Sequence, residues 1–284
     1  MRHTTAALAA LAALAALLLT GCAPTPSVAP TATPSAASAV EPPPDVEPRL
    51  PTVAEAAALP RATYDAVIPG LIPIPGGQPI FPVAYRADND ILLYRSPAAL
   101  SPAASMPATD FMGNPTPVVK IDNSTHPGWA QILTPARFSL PSRSAVKTAS
   151  TAAWLQNGQL AFDHWLPYGI TIDTSAQTLT ITGTDGDATY PVGVGAAGTA
   201  TPTGSTYIAA RFTDPAQSAL PINLLALHST AADDPYSPGS NGVVGIHFER
   251  TATGAVSHGC IRLSRAGIDA VNRLPVGTPV EIAL

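Results

Sequence analysis

Cys260 is the most obvious source of chemistry in this chain. It lies in Ser257-His258-Gly259-Cys260-Ile261-Arg262-Leu263, and a second histidine, His247, stands thirteen residues upstream, behind the apolar run Val243-Val244-Gly245-Ile246. A thiol and a base therefore fall within one short strand-loop-strand excursion. A cysteine attacks a carbonyl as its thiolate, which needs a base or a cation close by, and the oxyanion formed by that attack needs backbone N–H donors. Gly259 permits an unusual backbone that aims such donors inward. Other uses of the thiol fit less well. A zinc site needs three or four ligands at recognisable spacing, and one cysteine with two histidines and no C-x-x-C does not supply them. A redox sensor needs a resolving thiol, and the chain has 2 cysteines in unrelated contexts, Cys22 and Cys260. An inert buried cysteine leaves His258 and Gly259 unexplained. No metal and no organic cofactor are expected.

His228, in Leu227-His228-Ser229, is expected either to reach the cleft as a substrate contact or to be hydrogen-bonded in a structural role. Asp233 and Asp234 are adjacent in a loop, so they do not face one another as an acid/base pair and are expected to be solvated.

The elements that must position these groups are β-type. From Tyr168 onward, Ile170 and Ile172 alternate with polar residues, as do Leu179 and Ile181, and Asp185-Gly186 marks a tight turn between two strands. Ser264 can cap one short helix from Arg265 to about Asn272, ahead of a last strand at Val280 to Ala283. Between Val83 and Ala161 short β-type runs recur at Ile91 to Tyr94, Val118 to Ile121, Trp129 to Leu133 and Ala152 to Leu155. They predict a small accessory β domain over 83–161.

Ahead of it, Arg61 to Pro82 is apolar but cut by Pro69, Pro73, Pro75, Pro79 and Pro82, and is expected to be an extended strap on that domain. Ala23 to Pro60 has no aromatic residue and no apolar periodicity, which predicts a disordered or polyproline-like linker, so that linker and strap together fill 22–82. Arg2, the apolar run Ala6 to Leu19 and the closing Leu19-Thr20-Gly21-Cys22 predict an export signal over 1–21. The run is short of the roughly 20 residues that a permanent span needs.

Composition limits the partners. The 284 residues carry 32 prolines and only 12% charged side chains, so the folded part is smaller than the chain. Lys+Arg 14 against Asp+Glu 19 gives a net charge of −5 with no basic run, which argues against nucleic acid and against a polybasic membrane patch.

Three resemblances extend this. Leu19-Thr20-Gly21-Cys22 resembles the bacterial lipobox, which implies a lipid anchor on Cys22 and an exported protein held on a membrane, facing the cell wall or periplasm. The alternative is an ordinary secretory signal with an incidental cysteine. The strand phrases around Tyr94, Trp129 and Trp154 resemble a bacterial SH3-like module, a type that often contacts the wall; core aromatics of an accessory domain are the alternative.

The Ser257-His258-Gly259-Cys260-Ile261-Arg262 run, with His247 ahead of it, resembles the L,D-transpeptidase catalytic domain family (YkuD type). Tyr190-Pro191-Val192-Gly193-Val194-Gly195, Thr201-Pro202-Thr203-Gly204, Gly245-Ile246-His247 and Gly277-Thr278-Pro279-Val280 match further family strands and loops. The resemblance implies a mainly β fold: a twisted, sandwich- or barrel-like catalytic domain over 166–284 with a short helix. By the same resemblance Cys260 is the nucleophile and His247 its base, His258 and Gly259 shape the oxyanion region, and Ser257 and Arg262 organise loop and substrate. The implied reaction joins peptidoglycan stem peptides by 3→3 cross-links, with carbapenem-type compounds as inhibitors. A hydrolase, a protein-to-wall ligase and an inactive wall-binding lipoprotein are the alternatives. Phe248 stands where the family usually has Gly, and the loop to Cys260 is short; both bear on the acyl acceptor.

Overall fold

The computed structural model describes residues 50–121, 126–231, 233 and 242–284. The expected export signal, Cys22 and the expected linker as far as 49 lie outside the described residues, as does Asp234.

The fold is mainly β, as the sequence implies. The first strands are β1 (Ile72–Ile74), β2 (Ile80–Arg86), β3 (Ile91–Leu93), β4 (Ala104–Met106), β5 (Val118–Ile121), β6 (Trp129–Thr134), β7 (Ser150–Gln156) and β8 (Ala161–Trp165). Six of them form a sheet in the order β1-β7-β6-β5-β2-β8, with β3 and β4 paired as a separate ribbon. Buried Ile91, Leu93, Met106, Val118, Ile132 and Leu155 join the two pieces in one core.

Part of the expected strap belongs to this sheet. Pro73 is opposite Thr151 in β1, an edge strand, where a missing N–H costs little. Pro82 lies in β2 where the register with β5 shifts between Ile80 and Ala84, and its carbonyl accepts from Leu166 N–H at 3.0 Å. The linker is likewise not wholly extended. Val53–Ala57 form a one-turn helix, α1, because Thr52 and Glu55 make a capping box: Glu55 N–H donates to Thr52 Oγ1 at 3.3 Å and Thr52 N–H to the Glu55 carboxylate at 2.7 Å.

The later strands are β9 (Tyr168–Asp173), β10 (Thr178–Gly183), β11 (Ala188–Gly195), β12 (Gly204–Phe212), β13 (Ile222–His228), β14 (Val243–Phe248), β15 (Gly254–Ser257), β16 (Ile261–Leu263) and β17 (Pro279–Ala283). They follow the order β10-β9-β17-β12-β13-β14-β16-β11-β15, and a further β10–β11 pairing closes eight of them into a barrel. The predicted alternation holds, with Ile170, Ile172, Leu179 and Ile181 all buried. The Asp185-Gly186 turn joins β10 to β11 with Gly186 at φ +92°. The predicted helix is α2 (Arg265–Val271), capped by Ser264 and burying Ile268 and Val271.

A third apolar cluster lies where the two sheets meet. Ile74, Val119, Ile121, Leu133 and Ala152 of the first sheet pack with Tyr207, Ala209 and Ala226 of the barrel. Ser150 Oγ also donates to Ser205 O at 2.7 Å.

Candidate active site

Strand register explains why Cys260 and His247 meet. Parallel β14 and β16 pair Ile246 with Ile261, His247 with Arg262 and Phe248 with Leu263. Ile246, Ile261 and Leu263 are completely buried in the barrel core. Side chains alternate along a strand, so His247, Arg262 and Cys260, one residue ahead of β16, share the opposite face. There His247 is hydrogen-bonded to the half-buried Cys260.

His247 Nδ1 lies 3.0 Å from the Phe248 carbonyl oxygen. A carbonyl only accepts, so Nδ1 carries the hydrogen and Nε2 is the nitrogen left for the sulfur. Burial disfavours the charged ring. The hydrogen bond and negative charge of Cys260, helped by the Phe248 carbonyl, outweigh it and raise the histidine above its ordinary range, against the opposing charge of Arg262. That direction favours the charged ring, the kind of neighbour that a reactive thiolate needs.

The loop ahead of Cys260 is held from inside. Ser257 is buried, its Oγ donates to Cys260 O at 2.6 Å, and it accepts from Gly259 N–H at 3.1 Å. Gly259 has φ +121°, which disfavours any side chain there. Its N–H is thus occupied within the loop instead of being aimed at an oxyanion, and the glycine's contribution is the turn itself. His258 is exposed at the rim, and Arg262 is half-buried with an Nε that finds no partner among the described residues.

His228 is placed elsewhere. Its ring is buried on β13, and its Nε2–H donates to the Tyr64 carbonyl at 3.0 Å, so that nitrogen is not presented to a substrate. Asp233 is not merely solvated, since its carboxylate accepts from both the N–H and the hydroxyl of Ser142.

Thr201 is the site residue that its type and position did not reveal. Its buried hydroxyl accepts from Gly195 N–H at 2.8 Å and donates to Gly259 O at 2.9 Å. Ala196 N–H and Thr199 Oγ1 both donate to Ser257 O, at 2.8 and 3.3 Å. The 195–201 loop therefore clamps the cysteine loop from its far side. The only signal was Thr201-Pro202-Thr203-Gly204, a motif match that assigned no role to the hydroxyl. Among the described residues no cluster of three or more His, Cys, Asp or Glu side chains could hold a metal ion.

Comparison with known proteins bears on this site. Residues 167–282 match the family model of the L,D-transpeptidase catalytic domain, YkuD. No curated protein matches the chain. Similar solved structures include an L,D-transpeptidase from Mycobacterium smegmatis, 15% identical, with 59% of this chain and 90% of that one covered and a TM-score of 0.35. L,D-transpeptidase 1 from Mycobacterium tuberculosis is 18% identical, with coverage of 55% and 86% and a TM-score of 0.30. An L,D-transpeptidase solved in complex with imipenem is 15% identical, with coverage of 74% and 100% and a TM-score of 0.34.

Proposed function

We propose that the protein is a cysteine transpeptidase that cross-links peptidoglycan stem peptides, a reading supported by the match of residues 167–282 to the L,D-transpeptidase catalytic domain family. The observation that carries this is the His247–Cys260 hydrogen bond, with Nδ1 tied to the Phe248 carbonyl. His247 Nε2 takes the thiol proton. The sulfur then attacks the carbonyl of the third, diamino-acid residue of a tetrapeptide stem. The tetrahedral intermediate collapses to a thioester as D-alanine leaves, its nitrogen receiving the proton from His247. The side-chain amine of a second stem attacks the thioester, gives a proton back to His247 and expels the thiolate, which yields a 3→3 link. Ser257 and Thr201 keep the loop in shape, Arg262 lies beside the substrate, and His258 flanks the oxyanion region. We place the enzyme outside the cytoplasm, anchored by lipid on Cys22; a Cys22→Ser chain should lose lipid labelling and move to the aqueous phase of a detergent split.

The test is mass spectrometry with a carbapenem and with tetrapeptide donors. The chain should gain one carbapenem mass on Cys260, Cys260→Ala should gain none, and His247→Ala should react about 100-fold more slowly at neutral pH, the size of a positioned general base. A His247→Ala chain acylated at the wild-type rate from pH 6 to 9 would overturn the assignment. Donor stems should give dimers linked through third residues; release of D-alanine with water as sole acceptor would make the enzyme a hydrolase.

A further inference from the structure

The first sheet carries a groove that this chemistry leaves unused. It has a volume of about 440 Å³, and Phe81, Tyr85 and Trp129 line it together with Lys120 and Asn157. The polar groups are pre-arranged: Lys120 Nζ sits 4.0 Å from the Tyr85 ring centroid and donates to Asn157 Oδ1 at 3.2 Å. Trp129 is braced edge-on by the buried Tyr94, with centroids 5.1 Å apart.

The aromatic surface continues beyond the groove. Tyr85 on β2 is directly opposite Phe162 on edge strand β8, and the Phe162 ring lies 5.7 Å from that of Trp165. Phe162 and Trp165 are 53% and 66% exposed, unusual for such large apolar side chains. From β6 through β5 and β2 to β8 is three strand spacings, roughly 14 Å. A track of that length suits several rings in line better than one compact molecule.

We propose that this track binds a linear polymer of N-acetylated sugars, the glycan strand of the wall. Aromatic faces match the C–H faces of pyranose rings, while the N–H donors of Lys120 and Asn157 match hydroxyl and acetamido oxygens. A densely charged polyanion such as nucleic acid is disfavoured, because the groove offers a single lysine on a chain of net charge −5. The one lactyl carboxylate per disaccharide of a stripped wall strand is, by contrast, sparse enough for Lys120 to meet. Naming the polymer as wall glycan rests on the transpeptidase assignment; the sugar-binding chemistry does not. Binding there would hold the substrate polymer on the same compact unit that carries Cys260.

The test is binding of the purified full chain to glycan strands stripped of stem peptides, with isolated tetrapeptide and anionic lipid vesicles as the other arms. The chain should bind the stripped strands, the double variant Phe162→Ala/Trp165→Ala at least tenfold and Lys120→Met at least threefold more weakly, with carbapenem acylation of Cys260 unchanged in both as the sign of an intact fold. No binding by the unaltered chain, equal binding by both variants, or a loss confined to vesicles or tetrapeptide would overturn the proposal. Glycan binding without acylation would remove the transpeptidase assignment and leave the groove; acylation without glycan binding would do the reverse.

Discussion

His247 balances two opposing demands. It must be buried enough to hold one geometry, yet burial alone would lower its affinity for the proton that the proposed mechanism has it take from sulfur. The hydrogen bond to Cys260 and the carbonyl of Phe248 resolve this, and the ring ends above its ordinary range. The orienting group is thus a backbone carbonyl, where a nucleophile-base pair often has a third side chain. Ser257 acts differently, through the loop backbone. Ser257→Ala would leave Gly259 N–H and Cys260 O without their present partner in a buried place, a cost of about 1–3 kcal/mol. Its acylation rate should fall while the pH profile, which belongs to the His247–Cys260 pair, keeps its midpoints; stopped-flow measurement with a carbapenem over pH 5 to 9 checks both. A shifted profile would mean that Ser257 touches the proton transfer itself.

At the scale of elements, the strand pair β14 and β16 fixes the face and register of the reactive residues, and the 195–201 loop fixes the approach to them. Gly195 is where that loop comes closest. A Cβ there would lie 2.2 Å from Thr199 O and 2.4 Å from Thr201 N, both backbone atoms that cannot rotate aside. Gly195→Ala should therefore cost about 1–3 kcal/mol and displace the clamp on Gly259. Gly158→Ala meets nothing within 4 Å and should stay within about 0.5 kcal/mol of the parent. Thermal denaturation and the acylation rate, measured on the two variants side by side, give the comparison. Several strands were readable from the chain because period-two alternation is a local signal, as at Ile170 and Ile172, and the short spacing of His247 and Cys260 was local as well. The α1 capping box was equally local, but its Thr52 and Glu55 were hidden in a low-complexity composition. Pro73 and Pro82 made strand residues look like a strap, since nothing in the sequence tells an edge position or a register shift from a break. Thr201 depended on a contact fifty-eight residues away, and His228 on one with Tyr64 at a separation of 164; neither leaves a periodic trace.

At the scale of the whole molecule, the seam between the sheets makes them mutually dependent, and His228 gives a way to measure it. Burial holds its ring neutral and lowers it from 6.5 to about 4; the bond to the Tyr64 carbonyl works against this and the charge of Arg137 adds to it. Between those two values the unfolded chain binds the proton and the folded chain does not. Stability is therefore fully present above about pH 6.5 and declines as pH falls toward 4, by roughly 2 kcal/mol between pH 7 and 4.5 for a shift of this size. Urea titrations at both pH values should show that loss in the parent and a flatter response in His228→Gln, even if the variant starts from a lower midpoint at pH 7. Tyr64 lies in the N-terminal part and His228 in the barrel, and the seam cluster is shared by both. Fluorescence of Trp129, Trp154 and Trp165, all in the first sheet, and loss of carbapenem acylation at Cys260, which reports the barrel, should then share one urea midpoint and move together on acidification. Two separated midpoints would show that the sheets unfold independently and that the seam couples them too weakly to matter.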